Sequence, residues 1–131
     1  KDSIFHAEQA IRSVMKNSNK KQWDYVVYDD FSSAETSLRL DQLSAELGFQ
    51  VVHLCDVIST PSPNYRYVLQ TIQQKALHDD SHIVLVESDV VVNPNTFQRL
   101  LSAASADVGL VAAVTIDDQG AVNFPYLFAR K

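Results

Sequence analysis

Trp23-Asp24-Tyr25-Val26-Val27-Tyr28-Asp29-Asp30 is the stretch on which the reading of the chain turns. It is short, rich in β-branched and aromatic side chains and apolar on both faces, the pattern of a buried parallel strand. It ends abruptly in two carboxylates. Upstream, Ile4, Ala7, Ile11, Val14 and Met15 recur at helical spacing and draw an apolar stripe that closes in the polar run Asn17 to Gln22. Downstream, Ser32 and Glu35 form a capping-box start and Gly48 a stop for a second helix carrying Leu38, Leu40, Leu43 and Leu47.

The same alternation continues to the C-terminus. Phe49 to Leu54 reads as a strand, and Cys55 to Asn64, with Pro61 and Pro63, reads as a loop. Its length of about ten residues is one that compact domains keep for function or mobility. Tyr65 to Leu77 carries Val68, Leu69, Ile72 and Ala76 on one helical face, and His82 to Val86 is the most apolar strand candidate, running straight into Glu87-Ser88-Asp89. Asn93-Pro94 predicts a cap and first helical position for a helix with Phe97, Leu100, Leu101 and Ala104. Gly109 to Ile116 predicts a further strand, turned at Asp117-Asp118-Gln119-Gly120 into the short run Ala121 to Leu127.

Helices alternating with strands in this order predict an α/β fold, a three-layer α/β/α arrangement around a mostly parallel sheet. The chain reads as one domain over residues 1–131, and the start Lys1-Asp2-Ser3 reads as that of a piece excised from a longer protein. Of its residues, 46% are hydrophobic and only three are glycine, which excludes a disordered or collagen-like chain. No apolar run approaches the ~18 residues of a membrane span, and a cytoplasmic location is the default. The single Cys55 excludes a disulfide framework and a multi-cysteine zinc site. A net charge of −5 gives no footprint for a nucleic-acid backbone.

Parallel sheets bind ligands outside the carboxyl ends of their strands. Asp29-Asp30 and Glu87-Ser88-Asp89 both terminate strand candidates, so both should open toward one edge of the sheet. Carboxylates gathered without a matching set of lysines and arginines raise one another's pKa unless a cation or donor joins them. Oxygen-only sites suit Mg²⁺ or Mn²⁺ together with phosphates. Asp79-Asp80 and Asp117-Asp118 fit the plainer role of turn residues. His53 and His82 sit in apolar strand segments and read as satisfied core or edge histidines rather than ligands. Cys55 reads as a structural or bystander thiol.

Val26-Val27-Tyr28-Asp29-Asp30-Phe31-Ser32-Ser33 resembles the strand and Asp-Asp-x-Ser segment of family 2 glycosyltransferases. Val84-Leu85-Val86-Glu87-Ser88-Asp89-Val90 with Asn93-Pro94 resembles their Asp-x-Asp segment, and Val108 to Gly120 is similar to the strand and Asp-Gly turn that follow. The resemblance implies a GT-A, Rossmann-like fold in its N-terminal, donor-binding portion. It implies a UDP- or GDP-sugar donor and transfer to a glycan, lipid or protein acceptor. Asp30, or Asp29, would then contact base or ribose, Glu87 the ribose or a metal-bound water, and Asp89 the Mn²⁺ or Mg²⁺ that bridges the diphosphate. Arg66 is a candidate for the diphosphate or base by its chemistry alone. The chain departs from the family's pattern in four ways. Glu87 replaces the first Asp of Asp-x-Asp, the opening Pro-x-Tyr-Asn strand and the Ala-Arg-Asn are unmatched, and the acceptor half holding the catalytic base is not covered, so no base is assigned. A receiver-like signalling domain and a non-catalytic GT-A-like binding module are the competing readings.

Overall fold

The computed structural model describes residues 3–19 and 21–122. It is a mixed α/β structure of four α-helices and a small parallel sheet: α1 (Ile4–Asn17), β1 (Val26–Asp29), α2 (Ala34–Leu47), β2 (Gln50–His53), α3 (Tyr65–His78) and α4 (Thr96–Ala103), with a short 3₁₀ turn at Leu54–Asp56. β1 and β2 pair in parallel with Val26 opposite Gln50 and Asp29 opposite His53. The crossover between them is α2, as a parallel pair requires.

Each helix follows from its local sequence, with shifts at the ends. The predicted cap Ser32 is not the one used: its N–H donates to Asp29 Oδ1 at 3.2 Å, so the helix starts one residue later, on Ser33. The Ser33 hydroxyl accepts from the Thr36 N–H at 3.3 Å. Removing a hydroxyl cap costs about 1 kcal/mol, so Ser33→Ala should lower the unfolding free energy by that much, read as a lower urea midpoint at unchanged slope. α2 ends at Gly48, whose φ of 76° is the left-handed turn that glycine adopts without strain. α4 starts at Thr96, later than Asn93-Pro94 predicts. Thr96 returns both its N–H and its hydroxyl to the Asn93 carbonyl, which closes a turn before the helix.

Two buried clusters hold the chain together. Ile11, Leu40, Leu43 and Phe49 form the first, with Val27 and Val51 of the sheet packed against it, so α1 and α2 cover the same face of β1–β2. Val14, Val92 and Phe97 form the second, joined by Trp23, Val84 and Val86. Tyr25 packs against both, and burial pushes its phenol up to about 12, so it stays neutral. Across the helix pair, Glu8 accepts from Arg39 and Arg12, and Arg12 also makes a two-pronged bond to Glu46 at 2.8 and 3.1 Å. These exposed pairs fix which helix faces meet and add little stability.

The third and fourth predicted strands do not form among the described residues. His82–Val86 has the right alternation, Val84 and Val86 turned toward the second cluster while Ile83 and Leu85 stay exposed. No backbone hydrogen bond joins it to another described segment, and a strand without a ladder partner is only an extended chain. Over Gly109–Ile116 the only pairing among the described residues is one antiparallel bridge from Ile116 to Val122, across the turn at Gly120. Asp117 shapes that turn by accepting from the N–H groups of Gln119 and Ala121, the structural role expected for it. The last of the predicted short run, residues 123–127, lies outside the described residues.

Candidate functional site

The carboxyl ends of β1 and β2 carry a connected polar network. Asp29 points inward, its side chain 1% exposed. Its carboxylate accepts from the Ser37 hydroxyl at 2.6 Å, the Ser32 N–H at 3.2 Å and His53 Nδ1 at 2.8 Å. Burial pushes the Asp29 carboxyl up, but the bonds from Ser32, Ser37 and His53 outweigh it and hold the group below its ordinary value. His53 reaches Asp41 on α2 with its other nitrogen, Nε2, at 3.0 Å. Hydrogen bonds to Asp41 and then Asp29 raise its pKa against the opposing effect of burial. One imidazole thus ties the ends of β1 and β2 to the middle of α2, and the satisfied edge histidine expected from the sequence is a link between two carboxylates.

Asp30 faces the other way along the chain. Its Oδ2 accepts from the Asn64 N–H at 3.0 Å and its Oδ1 from Asn64 Nδ2 at 2.7 Å. Asn64 is buried and also donates to the Thr60 carbonyl at 2.9 Å, so it gives α3 no side-chain cap. The proline-containing loop is thereby fastened to the end of β1, and the first turn of α3, with exposed Tyr65 and Arg66, begins at that point.

Glu87 and Asp89 are exposed on the turn that follows the extended segment. The chain after them is anchored by one residue: the Val92 N–H donates to the Ser13 hydroxyl at 2.8 Å, and the Val92 carbonyl accepts from Asn17 Nδ2 at 2.8 Å. Asp89 lines a groove of about 390 Å³ with Asn93, Thr96, Thr115 and Asp118. Its polar side chains offer oxygen and amide groups, with no thiol or imidazole among them.

No family model, curated protein or solved structure matches the chain.

The predicted site residues therefore stand on their own geometry. Asp29 and Asp30 sit side by side at a strand end, each carrying a structural hydrogen-bond task, and the Asp30–Asn64 link brings the first turn of α3, where Arg66 lies, to that end. Glu87 and Asp89 do not join them in one cage. Among the described residues, no three His, Cys, Asp or Glu side chains converge as a metal site would need. Asp89 is a single exposed carboxylate, which does not fit an ion bound by protein alone. Two partners were not legible in the sequence, His53 and Asn64. The signal for His53 was the alignment of Val26-Val27-Tyr28-Asp29 with Gln50-Val51-Val52-His53, which pairs the acid with the imidazole once the strands are taken as parallel. No helix of the described residues is long and apolar enough to cross a membrane.

Proposed function

We propose that the chain is the donor-binding part of a family 2 glycosyltransferase with the three-layer GT-A arrangement, holding a UDP- or GDP-sugar across its strand ends. The observation that carries this reading is the β1–α2–β2 unit, whose strands run parallel, with Asp29-Asp30 at the end of β1 and the Cys55 to Asn64 loop fastened there through Asn64. That is the place where open α/β sheets take ligands. The packing of α1 and α2 against Val27 and Val51, on one face of the sheet, supports the reading on that side.

In this reading Asp30 meets the nucleoside, with Asn64 holding it in place, and Arg66 meets the diphosphate. Asp89 meets a Mn²⁺ or Mg²⁺ ion delivered with the diphosphate. The ion supplies charge neutralisation at the leaving nucleoside diphosphate. Transfer of the sugar to a glycan, lipid or protein acceptor would follow. The receiver-like alternative needs the Asp pair and the later Asp to converge on one pocket, and no observation favours it.

The test is calorimetric titration with UDP- and GDP-sugars, with and without Mn²⁺. Binding should be saturable with one of the two bases, be tightened by Mn²⁺, and lose at least tenfold of its Mn²⁺-dependent affinity in Asp89→Ala. Mn²⁺ alone should give no saturable heat, because no three acids or imidazoles among the described residues converge to hold it. Binding of neither sugar nucleotide would sink the proposal, and binding without turnover to a transferred or hydrolysed sugar would favour the non-catalytic module.

A further inference from the structure

The ion pairs between the first two helices fix their relative direction. Glu8 meets Arg39 and Arg12 meets Glu46, so α1 and α2 run side by side in the same sense. Because α2 is the crossover between two parallel strands, its start lies at the carboxyl end of β1. The start of α1 therefore lies at that end too. Between their opening turns is a groove of about 460 Å³, lined by Phe5 and Glu8 of α1 and by Glu35, Leu38, Arg39 and Gln42 of α2. Small-molecule sites fall in the range of about 300–1,000 Å³.

The walls combine apolar and polar groups. Phe5 is 67% and Leu38 60% exposed, and neither packs in a buried cluster. Glu8 is committed to Arg12 and Arg39, and Gln42 accepts from Arg39 with its carbonyl. The Glu35 carboxylate and the amide nitrogen of Gln42 keep their hydrogen-bonding capacity. Two carboxylates against one guanidinium leave the lining negative, which disfavours an anionic ligand. A docked helix needs apolar anchors over two turns, and an acyl chain needs a continuous apolar path. Here the apolar walls give way within one turn to the ion pair of Arg12 and Glu46. A neutral sugar ring suits what remains. Its C–H face lies on the electron-rich face of an aromatic ring, and its hydroxyl rim donates to a carboxylate and accepts from an amide.

We infer that this groove is a subsite for a neutral sugar ring of the acceptor, with Phe5 as the stacking ring and Glu35 and Gln42 as the hydroxyl partners. The assignment to the acceptor rests on the transferase reading and selects a glycan from the acceptor classes that reading leaves open. Glu35 lies in the first turn of α2, which follows directly on the Asp29-Asp30 strand end, so the subsite adjoins the place proposed for the donor.

The test is an amide NMR titration of the full chain with four neutral disaccharides: cellobiose, maltose, mannobiose and N,N′-diacetylchitobiose. At least one should bind saturably and shift amides at the starts of α1 and α2. Phe5→Ala should weaken that binding about tenfold, Glu35→Gln severalfold, and Phe5→Tyr should retain it. Both side chains are exposed and outside the clusters, so the melting temperatures of the three variants should match that of the parent. No shift of these amides by any of the four sugars would overturn the subsite, above all if hexanol, an apolar probe, shifts them. Equal affinity of the parent, Phe5→Ala and Glu35→Gln would overturn it as well. Sugar-nucleotide binding without disaccharide binding would remove this groove alone. Disaccharide binding without sugar-nucleotide binding would keep the sugar site and overturn its role as an acceptor subsite.

Discussion

Leu43→Ala should lower the stability of the chain by about 3 kcal/mol, read as a fall in the urea midpoint at constant slope. Leu43 is 0% exposed and sits among Ile11, Leu40 and Phe49, where α1, α2 and the sheet meet. Truncating it removes the transfer free energy of three carbons and leaves a cavity that three separate elements would have to move to fill. Domains of this size are stable by only about 5–15 kcal/mol, so the loss is a large share of the whole. Leu43→Met, which conserves volume, should cost less than about 1.5 kcal/mol. A Leu43→Ala cost no greater than that of the Met variant would mean that the packing around this side chain is loose.

Asp29→Asn should be comparably damaging near pH 6, by about 3 kcal/mol, because it removes the charge on which His53 and Ser37 converge and leaves their hydrogen bonds to a neutral amide. Its signature is in the pH profile. The folded Asp29 carboxyl lies below its ordinary 3.8, so its stabilising contribution is present above that value and is lost as pH falls through the lower, folded one. The folded His53 imidazole lies above its ordinary 6.5, so its contribution is fully present below 6.5 and is lost as pH rises through the higher, folded one. Between 3.8 and 6.5 both contributions operate, which places the stability maximum of this network on the acid side of neutrality. In Asp29→Asn the acid-side loss due to this carboxyl should vanish. The alkaline-side loss should shrink to what Asp41 alone supports. Urea midpoints from pH 3 to 9 would reveal this, and a variant with the same profile shape as the parent would refute the coupling.

Much of the architecture was legible because it is encoded locally. The stripe from Ile4 to Met15, the Gly48 stop and the apolar runs flanking α2 each specify an element without reference to anything distant, and α1, α2, β1, β2 and α3 fall within a few residues of where these signals put them. His82–Val86 was misread for the opposite reason. Its composition and alternation are those of a strand, yet a strand is defined by hydrogen bonds that a neighbouring backbone must supply, and composition does not say whether a neighbour is in reach. At the site, the acidic strand ends were legible because carboxylates after an apolar run stand out. Their tasks were not, since His53 lies 24 positions from Asp29 and Asn64 lies 34 from Asp30, and only the parallel register and the path of the loop bring them together.

The way α1 bridges the two buried clusters has a consequence for how the molecule opens. Ile4, Ile11 and Met15 belong to the cluster shared with α2 and the sheet, while Val14 belongs to that of Val92 and Phe97, which Ser13 and Asn17 reinforce through the Val92 backbone. The segment from Val84 to α4 therefore rests on a helix that is already held on its other side, whereas the first cluster does not need that segment to persist. Such an arrangement behaves as two cooperative units in series. The later half can detach and re-dock while the earlier half stays folded, so amide protons of α4 should exchange through a partial opening and those of α2 only through global unfolding.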